Sequence, residues 1–326
     1  MCLIIGLIII LYGAYRLYQH FFPAPDINSK DKYVLISGCD TGFGHGLALE
    51  LDKQGFNVLA GVYVPENVDS LKNKLSPKAT VFRLDITKQE DINGAFELVK
   101  EKTNVLHALV NNAGIGAGGF IDWITLESMH KIMDVNFFGH VTMTKKFLPL
   151  LIAKRDCRVV NICSVMGFIT PPGMSAYCAS KYAFESFSDC LRREMTPWGL
   201  RVCIIEPGCL RTPIIEGHDR LMQELWNGLS SDVRKRWGED FFNDLLKRAV
   251  TNNLLFNYAD NPIKVVRALR HAVMNSKPRI RYHPDWYAKF FFYPISMLPA
   301  WLVDLFTSQF MSLSLLPAGV KNQIKD

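Results

Sequence analysis

From residue 33 onward, six short runs of β-branched and aliphatic residues alternate with longer helical stretches. The runs are Tyr33–Ser37 (YVLIS), Asn57–Val62, Thr80–Leu84, His107–Asn111, Arg158–Cys163 and Arg201–Ile205. Helical patterns fill the gaps: Gly44 to about Lys53, Asn67–Leu75, Lys88–Lys102, about 125–152, and Ser175–Met195. No other feature narrows the fold so far. The runs are too apolar to face water on either side, so they read as parallel strands covered by helices on both faces. The predicted fold class is α/β, a doubly wound, Rossmann-like parallel sheet in a single domain over residues 30–283.

Composition agrees. A chain of 326 residues, 49% hydrophobic and 21% charged, is globular and long enough for one such domain with appendages. Its net charge of +6 comes without a long Lys/Arg run. That argues against a nucleic-acid partner and leaves room for an anionic membrane surface or a phosphate-bearing cofactor. Eight cysteines, at positions 2, 39, 157, 163, 178, 190, 203 and 209, form no CxxC and no Cys/His cluster. They read as reduced, buried thiols of a cytosol-facing domain. The histidines show no metal-ligand spacing, and no metal is predicted.

Gly38-x-x-x-Gly42-x-Gly44 follows the first strand and opens a helix. Glycines there allow a tight turn and a close backbone approach to a pyrophosphate, and the helix start offers free N–H donors. Asp85 caps the third strand at the rim where ligands bind such sheets. It suits an adenine amino group, or equally a helix N-cap. Asn111-Asn112-Ala113-Gly114 ends the fourth strand and suits close packing against a ribose, or a plain turn. In Ser175–Lys181 (SAYCASK), Tyr177 and Lys181 stand four residues apart and so on one helical face. An ammonium beside a phenol lowers its pKa, so Tyr177 could serve as a general acid or base. An ordinary helix pair reads the same way.

GCDTGFG, NNAG, an isolated Asn136 in a predicted helix, Ser164 after the fifth strand and YCASK thirteen residues on occur in one order. Together they resemble the short-chain dehydrogenase/reductase family over about residues 32–283. The resemblance implies a catalytic set of Asn136, Ser164, Tyr177 and Lys181. Tyr177 would exchange the proton of the substrate oxygen, and Lys181 would lower its pKa and hold the nicotinamide ribose. Ser164 would bind the substrate oxygen, and Asn136 would hold a relay water or else be a kink or core amide. Cofactor contacts would come from Gly38, Asp40, Thr41, Gly42, Phe43, Gly44, Asp85, Asn112, Ala113, Gly114, Tyr177, Lys181, Pro207, Gly208 and Thr212. Ser37 stands where the family usually has Thr.

The runs FSDCLRREM, IEPG and RYHPDWYAK resemble the membrane-bound retinol and hydroxysteroid dehydrogenases, and also 3-hydroxybutyrate dehydrogenase. The second strand ends Gly61-Val62-Tyr63-Val64, with no basic residue there or in the glycine loop, where Asp40 is acidic. A 2′-phosphate would lack a partner, so NAD is favoured over NADP. A helical lid over residues 213–261 carries Met222, Leu225, Trp226, Trp237, Phe241, Phe242, Leu245 and Leu246, either core or pocket. So aromatic a lid suits a lipophilic alcohol. Arg211 and His218 keep a small hydroxy acid open as an alternative, and a nucleotide-bound, non-catalytic protein is a third reading.

Both ends are apolar. Residues 1–22 read as an uncleaved membrane anchor, with a signal peptide or a soluble helix as the alternatives. Arg16, Lys30 and Lys32 behind it place the domain in the cytosol, at the endoplasmic reticulum if the resemblance holds. Residues 284–326 are broken by Pro294 and Pro299 and read as membrane-associated in plane, or as packed on the domain or on a second subunit. The family resemblance also implies pairing into a homodimer through two long helices.

Overall fold

The computed structural model describes residues 6–325 apart from 8–9, 12, 15–16, 19–20, 117, 212–217, 252–258 and 311–314. Seven parallel strands form one sheet in the order β3-β2-β1-β4-β5-β6-β7. They are β1 (Tyr33–Ile36), β2 (Asn57–Val62), β3 (Thr80–Arg83), β4 (Leu106–Asn111), β5 (Arg158–Ile162), β6 (Arg201–Ile205) and β7 (Arg281–Tyr282). The doubly wound α/β class expected from the sequence is the one observed. β7, two residues long, is an addition to the six expected strands.

Both faces of the sheet are dry, which is why its strands read as continuous apolar runs. Val34 and Ile36 face one helical layer, built from α1 (Gly42–Lys53) and α10 (Ile263–Met274). Leu35, between them, faces the other. That second layer holds α3 (Gln89–Lys102), α5 (His140–Ile152) and α6 (Ser175–Glu194). All three β1 residues are fully buried.

The remaining helices run from four to thirteen residues. They are α2 (Asn67–Lys72), α4 (Leu126–Met133), α7 (His218–Asn227), α8 (Ser231–Trp237) and α9 (Glu239–Thr251), then α11 (Tyr293–Ser296), α12 (Ala300–Phe310) and α13 (Ala318–Lys325). The helix expected over about 125–152 is interrupted by a wider π turn at Asp134–Gly139. Gly139 lets this turn approach the β3–α3 connection: a Cβ there would lie 2.8 Å from the Ile86 side chain.

The chain order reverses between β1 and β4, so a crevice opens beyond their carboxyl ends, where ligands bind in this architecture. At the opposite, amino-terminal end of the strands, the segment before β1 is tied down. Ser276 donates to Pro25 O and Asn275 Nδ2 to Ala24 O. The C-terminal segment instead starts beside the crevice, after β7. Ala288, Phe292 and Ile295 pack there against Val165 and Ile169.

Candidate active site

The glycine turn is shaped by contacts that leave no room for side chains. Gly38 has φ +71°, and a Cβ on it would lie 2.7 Å from Ala113 Cα. A Cβ on Gly44 would lie 2.4 Å from both Asn112 Nδ2 and Gly38 O. Asn112 pins this turn to the end of β4 by donating to Ser37 O (2.9 Å) and Gly38 O (2.8 Å). Ser37 Oγ in turn accepts from the backbone N–H groups of Asn112 and Ala113, so serine supplies the hydroxyl that this position needs.

Gly42 differs. Its φ is +63°, yet nothing lies within 4 Å of where a Cβ would stand. Thr41 caps α1 without a side-chain bond to it, so the first N–H groups of α1 face that open space. A concave turn with free donors at a helix start fits a dinucleotide pyrophosphate. Phe43 packs inward on the first core.

Asp40 reaches from this turn to the end of β2. Its carboxylate accepts from Tyr63 N (2.8 Å), Val64 N (2.9 Å) and Asn67 Nδ2 (2.9 Å). Asp85 closes a local turn, accepting from Thr87 N and Thr87 Oγ1 through Oδ1. It does not cap the helix that follows, which starts at Gln89 with Lys88 at its N-cap position and no side-chain capping bond.

Tyr177 and Lys181 lie on one face of α6, as their spacing implied. Lys181 is 4% exposed, and its ammonium donates to Ile162 O at 3.0 Å. It stands 5.7 Å from the centre of the Tyr177 ring. The spacing alone predicts that Lys181 lowers the tyrosine pKa. In the structure the phenol is instead pushed up to about 12 by burial, and the hydrogen bond with Ser164 only partly offsets this. Burial lowers the pKa of Lys181.

Ser164 opens a short turn (Val165–Gly167), accepting from Met166 N and donating to Pro207 O. Gly208, next along, donates its N–H to Asp285 Oδ2 at 2.7 Å. Asn136 is fully buried in the π turn. Its amide accepts from Ile115 N and donates to Ile115 O and Ser180 Oγ. The side chain thus holds the loop after Gly114 against α6, the core-amide alternative. Thr212 lies outside the described residues, as does part of the 213–261 segment.

Sequence reasoning missed several groups. Asp285 was visible only as part of a resembling run. His140, one turn beyond Asn136, is fully buried, and its Nε2–H donates to Ala113 O at 2.8 Å. The lid aromatics resolve as core: Trp226, Phe241 and Phe242 pack with Trp123 at 1–2% exposure. Among the described residues, no group of three His, Cys, Asp or Glu side chains could hold a metal. Of the seven described cysteines, all free, five are buried.

The short chain dehydrogenase model matches residues 32–220. The chain belongs to the short-chain dehydrogenase family. Within it, retinol dehydrogenase 7 of Mus musculus is 38% identical over 303 residues, 91% of this chain and 94% of that one. The 17-beta-hydroxysteroid dehydrogenase type 6 of Bos taurus is 37% identical, covering 90% and 94%. These place the chain in the retinol and hydroxysteroid dehydrogenase branch. The fold is shared with 3-ketoacyl-(acyl-carrier-protein) reductase from Brucella melitensis complexed with NADH (TM-score 0.60, 22% identity, 77% and 93% covered). It is shared equally with a Burkholderia cenocepacia short chain dehydrogenase in complex with NADP (0.65, 20%, 86% and 99%). This family member is therefore an NAD(P)-dependent oxidoreductase, with the choice of dinucleotide left to its own residues.

Proposed function

We propose that the protein oxidises a lipophilic alcohol, retinol-like or a hydroxysteroid, to its carbonyl, using NAD, at a membrane surface. One observation carries the chemical part. Tyr177 and the buried Lys181 share one face of α6, with the Lys181 ammonium 5.7 Å from the Tyr177 ring centre and Ser164 beside the phenol, at the strand ends that face the open glycine turn. The nicotinamide supplies the hydride acceptor when bound. The turn from Gly38 to Gly44, with Thr41, would hold the dinucleotide phosphates, and Asp85, Asn112, Ala113, Gly114, Pro207, Gly208 and Thr212 its remaining length.

Tyr177 Oη is the proton-exchanging atom. It is the hydroxyl beside the substrate oxygen, and Ser164 Oγ shares that oxygen's developing negative charge. The Lys181 ammonium, one helical turn away, would hold the nicotinamide ribose hydroxyls. NAD is favoured because Asp40 brings a carboxylate to the end of β2, where a ribose diol would be welcome and a phosphate repelled. Across the sheet, Arg83 opposite Val62 is already paired with Asp91 at 2.5 Å.

Membrane association is supported by the described apolar side chains of residues 1–22, among them Leu7, Ile10, Leu11 and Phe21, all exposed. No helix among the described residues is long and apolar enough to cross a membrane. We place the protein at the endoplasmic reticulum with the catalytic domain facing the cytosol. Exposed Phe138 and Tyr182, beside the long helices, favour a homodimer. The deciding assay follows nucleotide reduction by detergent-solubilised protein. It compares all-trans-retinol, a 3α-hydroxysteroid, a 17β-hydroxysteroid and 3-hydroxybutyrate, each with NAD and NADP, with Tyr177→Phe in parallel. Turnover of a retinoid or steroid that is lost in the variant supports the reading. Turnover of 3-hydroxybutyrate alone overturns it.

A further inference from the structure

A buried ion cluster behind the catalytic residues takes no part in the steps above. Arg281 on β7 donates to Glu185 of α6 and to Glu206 at the end of β6, and lies 3.2 Å from Asp189. His283 Nε2 stands 2.9 Å from the second Glu206 oxygen. Glu206 is fully buried and Glu185 is 8% exposed. Burying charge this deeply is costly, and apolar replacements of such clusters are often no less stable. Stability alone is therefore a poor reason for it.

The surroundings offer a better one. Glu185 lies one helical turn beyond Lys181, and its carboxylate faces the thiol of Cys163. Cys163 joins Ile162, whose carbonyl accepts from Lys181, to Ser164. Gly167, at the close of the turn that Ser164 opens, packs on the Glu185 side chain: a Cβ there would lie 2.8 Å from Glu185 Cγ. On the other side, Glu206 precedes Pro207, whose carbonyl accepts from Ser164 Oγ and Val165 N. The two carboxylates bracket Ser164, and Arg281 fastens them together.

We propose that Glu185 is a positioning residue for Ser164: clamped by Arg281 against Glu206, it fixes the Cys163–Gly167 turn and so aims the Ser164 hydroxyl at the reacting oxygen. A loosened turn leaves Tyr177, Lys181 and the glycine turn in place. It weakens only the hydrogen bond that strengthens as charge develops on the substrate. The inference rests on the hydride-transfer reading, and the controls separate the two.

The test uses the full-length, detergent-solubilised protein with NAD and whichever alcohol the deciding assay shows it to oxidise. Glu185→Gln keeps shape and an acceptor but removes the charge. The expected result is a kcat about tenfold lower, with alcohol KM and NAD Kd within about twofold. In a Ser164→Ala background the same change should cost less than about twofold, because the two act through one hydroxyl. Cys163→Ala, which spares the ion cluster, should lower kcat in the same direction and reads the idea should Glu185→Gln fail to fold. An unchanged kcat in both, or the full tenfold loss on top of Ser164→Ala, overturns the positioning role. A Tyr177→Phe protein that stays active overturns the hydride-transfer reading and this inference with it.

Discussion

Lys181 donates its hydrogen bond to the carbonyl of Ile162, 3.0 Å away, and stands 5.7 Å from the centre of the Tyr177 ring, one helical turn earlier. The lysine is nearly inaccessible and holds one carbonyl for the water that it has lost. Desolvating an ammonium for a single neutral acceptor is unfavourable.

Lys181→Met, similar in volume and uncharged, is expected to leave the melting temperature unchanged or raise it by a few degrees, while kcat falls about a hundredfold. Calorimetry and turnover on the same preparation check this. A large drop in melting temperature would show that the lysine is held mainly for the fold.

The glycines of the first turn should separate nucleotide binding from folding. Gly42→Ala meets open space and costs about 1 kcal/mol for its left-handed backbone, but puts a methyl group where the dinucleotide would sit. Gly44→Ala drives a Cβ into Asn112 and Gly38 and should cost about 2–3 kcal/mol. Urea unfolding and NAD titration by fluorescence would report them. Equal effects of both on stability would contradict the geometry.

Asp40→Asn keeps an acceptor for the Tyr63 and Val64 amides and removes the charge. The ratio of kcat/KM for NAD over NADP is expected to fall about tenfold. An unchanged ratio would remove Asp40 from dinucleotide selection.

His107 and His140 give stability a pH dependence of defined sign. Burial, with Arg158 near the first and Lys181 near the second, pushes both from 6.5 to about 3. Between those values the unfolded chain binds protons that the folded protein refuses. Their contribution is therefore fully present above about pH 6.5 and is lost as pH falls toward 3, about 2 kcal/mol for each between pH 6.5 and 4.5. Urea midpoints across that range should fall, and less steeply in His140→Phe. A flat profile would contradict the burial.

The outer side of the C-terminal segment carries Trp286, Phe290, Trp301 and Leu305, each more than half exposed, with Lys289 beside Phe290. The double change Trp286→Ser/Trp301→Ser should weaken binding to phosphatidylserine-containing vesicles about tenfold with turnover in detergent retained. Unaltered vesicle sedimentation would count against this face.

Six strands were readable because each is buried on both sides and so spells a continuous apolar run. β7 was not, since Arg281 and Tyr282 are too few to show any period. Tyr177, Lys181 and Asn136 could be found because helical spacing, or an isolated amide among apolar neighbours, survives in one dimension. The rest depends on what folds around a residue. The rise in the Tyr177 pKa comes from burial and not from the lysine whose spacing drew notice. The ligands of Asp40 come from the far end of β2. Glu185, Glu206 and Arg281 meet across three elements, and each alone reads as an ordinary surface charge.

Asp285 accepts from Gly208 N and from Ala288 N, and so joins the loop after β6 to the first turn of the apolar C-terminal segment. A few residues later, Phe292 and Ile295 back the turn that begins at Ser164. A protein shortened after residue 283 to shed its greasy tail would keep Tyr177 and Lys181 but lose the brace behind both walls of the reaction chamber. Solubility gained in that way would be expected to come with a poorly shaped catalyst, and the tail is better blunted on its outer face than removed.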